Sequence, residues 1–132
     1  MDDLISKLRT DFPELRFVPG KKFAFRYPRT IKLGKDETDF AQLLFHELGH
    51  ALLRHRDFST DIERLKMEAD AWEKAKELAP NYEIDIDEEF VQKELDTYRD
   101  WLHKKSRCPV CGLTRYETLD GIYHCPRCEN LA

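Results

Sequence analysis

Residues 4–11 read as a short helix, closed by Phe12-Pro13, and the pattern then switches to alternation. Leu15-Arg-Phe-Val18, Lys22-Phe-Ala-Phe-Arg-Tyr27 and Thr30-Ile-Lys-Leu33 alternate apolar with polar, punctuated by Pro19-Gly20, Pro28 and Gly34. Successive strand side chains point to opposite faces, so this predicts three strands, expected as a small antiparallel sheet. Thr38 or Asp39 is placed to cap a helix running to about Arg56. Its Phe40, Leu43, Leu44, Phe45, Leu48, Ala51, Leu52 and Leu53 point almost all round the axis, which predicts a buried helix. Ser59 or Thr60 begins a second helix to about Ala79, with a stripe of Ile62, Leu65, Ala69, Trp72, Ala75 and Ala79, and Pro80-Asn81 ends it. A third, from about Asp87 to Lys105, is expected to bury Val91, Leu95, Tyr98 and Leu102. From Arg107 the chain is Cys-bearing and punctuated by Gly and Pro. The expected fold is α+β, a domain of residues 1–105 followed by a small module of residues 106–132, with the boundary near Ser106.

The buried helix carries His46-Glu-Leu-Gly-His50. Two histidines four apart lie about 40° apart around a helix and one turn along it, so both imidazoles reach one ion. Glu47, beside them, is positioned to contact a metal-bound water rather than the metal. This is the zincin arrangement. Burying two imidazoles and a carboxylate on so apolar a helix costs several kcal/mol unless something compensates, and that favours a metal over two idle histidines. Catalytic zinc keeps three protein ligands and an open position. On the second helix, with Ile62 at zero, the apolar stripe centres at about 300° and Glu68 falls at about 240°, between Leu65 and Trp72. Glu63 and Asp70 point away to solvent, and Glu73 and Glu77 lie further off. Glu68 is therefore the expected third ligand. His55 lies about 140° round the helix from His50 and is read as a polar residue at a helix end.

Cys108-Pro-Val-Cys111 and Cys125-Pro-Arg-Cys128 are paired knuckles separated by thirteen residues. That spacing predicts a zinc ribbon: four thiolates leave no open position, so the metal is structural. Tyr116, Leu119, Ile122 and Tyr123 are expected to form the hairpin between the knuckles. His103 and His124 are read as surface or ribbon residues. Two Zn2+ ions are thus expected, one catalytic on His46, His50 and Glu68 and one structural on Cys108, Cys111, Cys125 and Cys128.

His46-Glu-Leu-Gly-His-Ala-Leu-Leu-Arg-His55 followed by Glu68-Ala-Asp-Ala-Trp-Glu-Lys-Ala75 resembles the ImmA/IrrE metallopeptidases, gluzincin-like zinc proteins. The likeness spans about residues 25–80. The family's Glu-x-acid-Ala pattern falls on Glu68, Asp70 and Ala71, and makes Glu68 the zinc-binding glutamate by analogy. Trp72 stands where that family often has Asn or Asp, and Lys74 where it has an aromatic. The resemblance implies an intracellular peptidase acting on a protein such as a repressor. The order of an HExxH core and then a four-cysteine module is also similar to the SprT-like proteases, which act on DNA-associated proteins and typically use a histidine as the further ligand.

Composition narrows the classes. The 132 residues are 41% hydrophobic and 36% charged, with a net charge of -4. That argues against a generally basic nucleic-acid coat protein. No apolar run approaches the roughly 18 residues of a membrane span. The start, Met1-Asp2-Asp3-Leu4, is acidic where a signal peptide is basic, so a cytoplasmic location and reduced, metal-binding cysteines are expected. Charge is segregated: residues 15–35 hold seven bases and no acid, and residues 57–100 fifteen acids against six bases. The bases are expected to balance the acidic helices, with an acidic peptide or a phosphate backbone as the alternative partner. The expected activity is peptide-bond hydrolysis in a specific intracellular protein, with Glu47 as general base and then acid and the ribbon docking protein or nucleic acid. A non-hydrolytic binding or regulatory module is the alternative.

Overall fold

The computed structural model describes residues 2–35 and 38–129. It is an α+β fold. Helix α1 (Asp2–Asp11) leads into strands β1 (Arg16–Pro19), β2 (Ala24–Arg26) and β3 (Thr30–Leu33). Helices α2 (Phe40–Leu52), α3 (Asp61–Leu78) and α4 (Glu88–Ser106) follow, with a 3-10 turn, Ala79–Tyr82, after α3. A two-stranded ribbon, β4 (Tyr116–Glu117) and β5 (Tyr123–His124), lies among the cysteines. None of these helices is long and apolar enough to cross a membrane.

The sheet is mixed, not antiparallel as expected. Its order is β1-β3-β2, with β2 antiparallel and β1 parallel to the central β3. Alternation fixes which face each residue presents but carries no information about strand direction or neighbour order. The facing preference is kept: Phe17 and Ile31 are register partners and both are buried. They close over a core of Leu44, Phe45 and Leu48 from α2 and Trp72 and Ala75 from α3. β2 is also shorter than the alternating run Lys22 to Tyr27.

Helix α3 begins as its sequence implies, the Thr60 side chain accepting a hydrogen bond from the Glu63 amide, 3.2 Å. Asp87 caps α4 in the same way through the Glu89 amide. The first turn of α3 departs from the expected stripe, because Ile62 is 63% exposed. That turn overhangs the core and faces the ribbon, where Ile62, Leu102, Tyr116 and Tyr123 line an apolar cavity of about 490 Å³. Helix α2 stops at Leu52 rather than near Arg56. Arg54 takes a left-handed backbone (φ 56°), and the His55 amide bonds back to the His50 carbonyl, 3.0 Å.

Gly49 sets how close α2 and α3 approach. A Cβ on it would lie 2.3 Å from the Ala71 carbonyl oxygen, far inside contact distance, so only glycine permits this crossing. The crossing carries Glu68 of α3 to the histidines of α2. The ribbon is tied to the helices through Asp61, a buried carboxylate at the start of α3. Asp61 accepts from the Tyr123 hydroxyl (2.7 Å) and pairs with Lys105 of α4 (2.8 Å), while its amide donates to Glu117 (2.7 Å).

Candidate metal centres

Residues His46 and His50 stand one turn apart on the buried α2, and Glu68 meets them from α3. One oxygen, Oε2 of Glu68, lies 2.8 Å from His46 Nε2 and 3.2 Å from His50 Nε2. These ligand atoms all fall within 4.8 Å of one another. Around a tetrahedral zinc with bonds of about 2.0–2.2 Å, ligand atoms sit about 3.3–3.5 Å apart, which this cluster approaches. His46 Nε2 is buried and, among the described residues, has no hydrogen-bond partner. The polar atom it faces is the Glu68 oxygen, 2.8 Å away, an arrangement that a cation shared by the two would complete. The donor set and the orphaned nitrogen fit a zinc ion.

Electrostatics around the cluster follow from burial. Burial alone would raise the Glu68 carboxyl, but His46 and His50 outweigh it and hold Glu68 well below the usual carboxylate range. Burial lifts Glu47 above its ordinary value; the two histidines and the backbone of Phe25 pull it down, and Glu68 pushes it up. Glu47 is half-buried and lines the cleft beside the histidines without joining the three-residue cluster.

His55 is more than a helix-end residue. Its Nδ1 lies 2.8 Å from Nδ1 of His50, the ring nitrogen that does not face Glu68. Burial, then the His50 ring, holds His55 below its ordinary value, so it meets His50 as a neutral imidazole. A ring presenting its Nε2 lone pair to a cation carries its proton on Nδ1, and His55 is placed to accept it. The left-handed turn at Arg54 makes this contact, and a β-turn signal such as glycine is absent there, so sequence spacing could not reveal it. Trp72, fully buried, packs its ring 4.3 Å from that of His46. Glu63, Asp70, Glu73 and Glu77 stay out of the cluster. Tyr82 hydrogen-bonds to Asp11, whereas Tyr98 lines the cleft with His46 and Glu68.

The second cluster joins Cys108, Cys111, Cys125 and Cys128. The sulfurs of Cys108 and Cys128 are 3.7 Å apart and those of Cys111 and Cys125 are 3.4 Å apart. A zinc tetrahedron with Zn–S of about 2.3 Å has edges of about 3.8 Å. Disulfide sulfurs sit at about 2.05 Å, and all four cysteines are free. Amides of Cys111 and Val110 turned toward Cys108 lower its thiol to about 6, and the Cys128 amide, 3.4 Å from the Cys125 sulfur, lowers Cys125. Gly112 closes the first knuckle with φ 79°. His124 stays out of this cluster, bonded to Glu129 and stacked on Tyr116.

The bases of residues 15–35, expected to balance the acidic helices, make no close ion pair with them among the described residues. Among the described residues, Arg16, Lys21, Lys22, Arg26, Arg29 and Lys32 form no ion pair, while Lys76 of α3 pairs with Glu73 and Glu88. The acidic helices settle much of their charge within themselves, through pairs such as Lys74–Glu77 and Arg99–Asp96.

No family model, curated protein or solved structure matches the chain.

Proposed function

We propose that the protein is a zinc-dependent peptidase of the zincin type, residues 1–105, carrying a structural zinc ribbon in residues 106–132. The observation that supports this best is Glu47. It stands next to the His46–His50–Glu68 cluster, facing the same cleft, yet outside the ligand set. A scaffold needs only the three ligands, whereas hydrolysis needs a base beside them.

Zinc bound by His46, His50 and Glu68 would supply a Lewis acid and lower the pKa of a bound water to about 7. Glu47 takes a proton from the attacking water and later delivers it to the leaving amine. Its burial suits that task, since a raised carboxyl is a better base than a solvated one. His55 and Trp72 hold the imidazoles in place, one through a ring nitrogen and one by ring packing. Tyr98 lines the same cleft from α4, and we assign it to the substrate carbonyl. The ImmA/IrrE and SprT-like resemblances support the same chemistry.

Glu47→Gln tests the reading. The variant keeps size and polarity but cannot accept the proton, and loss of a general base typically costs about 10²–10⁴ in rate. It should fold, retain its metal and lose cleavage of peptides that the wild type cuts. Full biological activity in Glu47→Gln, together with its loss in Cys108→Ser, would instead establish a non-hydrolytic binding module.

A further inference from the structure

We infer that the cleft selects an extended acidic peptide, with carboxylates on both sides of the residues that sit over the metal cluster. This deepens the peptidase reading and rests on it for the cleaved bond, but not for the binding. Two cavities, of about 270 and 340 Å³, meet at the cluster, since both are walled by His46, Glu47 and Tyr98. Arg56 and Arg64 line the first and Lys21, Lys22 and Lys35 the second. Positive charge thus stands on both sides of the metal ligands. Away from Glu47 and Glu68, Glu94 is the one acid among the described residues of either wall.

These cations are available. Among the described residues, Lys21, Lys22 and Arg64 have no carboxylate partner, and Arg56 has only its exposed neighbour Asp57, at 3.5 Å. Arg64 is also held in place. Its guanidinium lies over the rings of Phe58, Tyr98 and Trp101, at 5.7, 5.2 and 5.2 Å, one turn of α3 before Glu68. Stacking on rings fixes the guanidinium, and beyond its hydrogen bond to Tyr98 it keeps further N–H donors for a carboxylate. In a chain of net charge -4, five cations lining two adjoining cavities are not a consequence of composition. Their field is felt within about 8 Å at physiological salt, so it acts on what enters the cleft and not on the whole protein.

A peptide fits this pattern better than a nucleic-acid strand does. Phosphates repeat without interruption and would carry charge past Glu47 and Glu94, whereas a peptide can place neutral residues there and acids on either side. Phe25, Phe58 and Met67 offer apolar wall for those neutral residues.

The test uses zinc-loaded full-length protein carrying Glu47→Gln, so that binding is read without turnover. The probes are fluorescein-labelled peptides with a central Ala-Leu pair flanked on both sides by glutamates, or by glutamines in the same places, and a labelled oligo-dT strand of similar length. Anisotropy should show the glutamate peptide binding at least about tenfold tighter than the glutamine peptide, with the gap closing as NaCl rises to about 0.5 M. Arg64→Gln, and separately Arg56→Gln with Lys22→Gln on the exposed lips, should each bring the ratio toward one. Circular dichroism checks that Arg64→Gln remains folded, and the two exposed changes carry the test if it does not. Equal binding of both peptides, no binding, a ratio untouched by the lip variants, or tighter binding of oligo-dT would each overturn the inference. Wild-type protein then separates the two ideas. An acidic peptide that binds through these cations but is never cut defeats the peptidase reading alone, while equal cleavage of acidic and neutral peptides defeats the inference alone.

Discussion

Glu68 faces two imidazoles with one oxygen, so its charge is directed at both histidines at once. Glu68→Gln keeps the shape but replaces that anion with a neutral amide. Metal affinity should fall by more than the roughly 10–100-fold typical of losing an outer partner of a ligand. His55→Ala removes such an outer partner and should fall within that range; calorimetric zinc titration of both variants checks the order, and equal losses would make His55 a ligand in its own right. Trp72→Ala deletes the largest fully buried side chain and the ring packed against His46, and should cost about 3–5 kcal/mol in denaturant unfolding. Position on a helical wheel was enough to single out Glu68, because Leu65 and Trp72 flank it on the buried side. His55 was illegible for the opposite reason. Its contact depends on a left-handed non-glycine residue, Arg54, and nothing in residue type announces that.

Between elements, the α2–α3 crossing decides whether the metal ligands meet. Gly49→Ala would push a methyl into the Ala71 carbonyl, and the helices must part or shift. Overpacking of this kind costs about 1–3 kcal/mol, and here it should also separate Glu68 from the histidines. A variant with lowered stability and unchanged zinc affinity would show that the crossing does not set the site. The ribbon's docking onto α3 and α4 depends on Asp61. Burial would raise its carboxyl, but Lys105 and Tyr123 more than offset this and hold it below its ordinary value. A depressed folded value contributes stability that is present above the unfolded carboxylate value, near 4, and is lost as pH falls through the folded one. Asp61→Asn should therefore destabilise the protein at neutral pH by about 1.5–3 kcal/mol and flatten its stability profile below about pH 4, read as melting temperature against pH. The helices themselves were legible from periodicity and from the caps at Thr60 and Asp87. Strand direction was not, since parallel β1 and antiparallel β2 show the same alternation. Nor was the exposure of Ile62, which depends on where the ribbon docks.

At the scale of the whole molecule, sequence spacing locates two metal clusters, and the structure brings each together with no residue in common. One is assembled from two helices that cross at Gly49, the other from two knuckles on a two-stranded ribbon. What spacing could not supply was the relation of the charged segments to one another. The bases of residues 15–35 form no ion pair with the acidic helices among the described residues, and Lys21 and Lys22, on the connection between β1 and β2, and Lys35, after β3, line the cleft. The clusters' separateness has a direct consequence. Purified protein should carry about two zinc ions per chain, and each should be removable without the other. Cys108→Ser breaks the four-sulfur set, so one zinc should be lost and the ribbon loosened. The α-helical circular dichroism should barely change, because the ribbon contributes only two short strands. His46→Ala should release the other zinc and leave the four-cysteine zinc in place. Native mass spectrometry of the two variants measures both counts directly. A single zinc in the wild type that either substitution abolishes would mean that the clusters are not independent, and would remove the basis for assigning one a catalytic and the other a structural role.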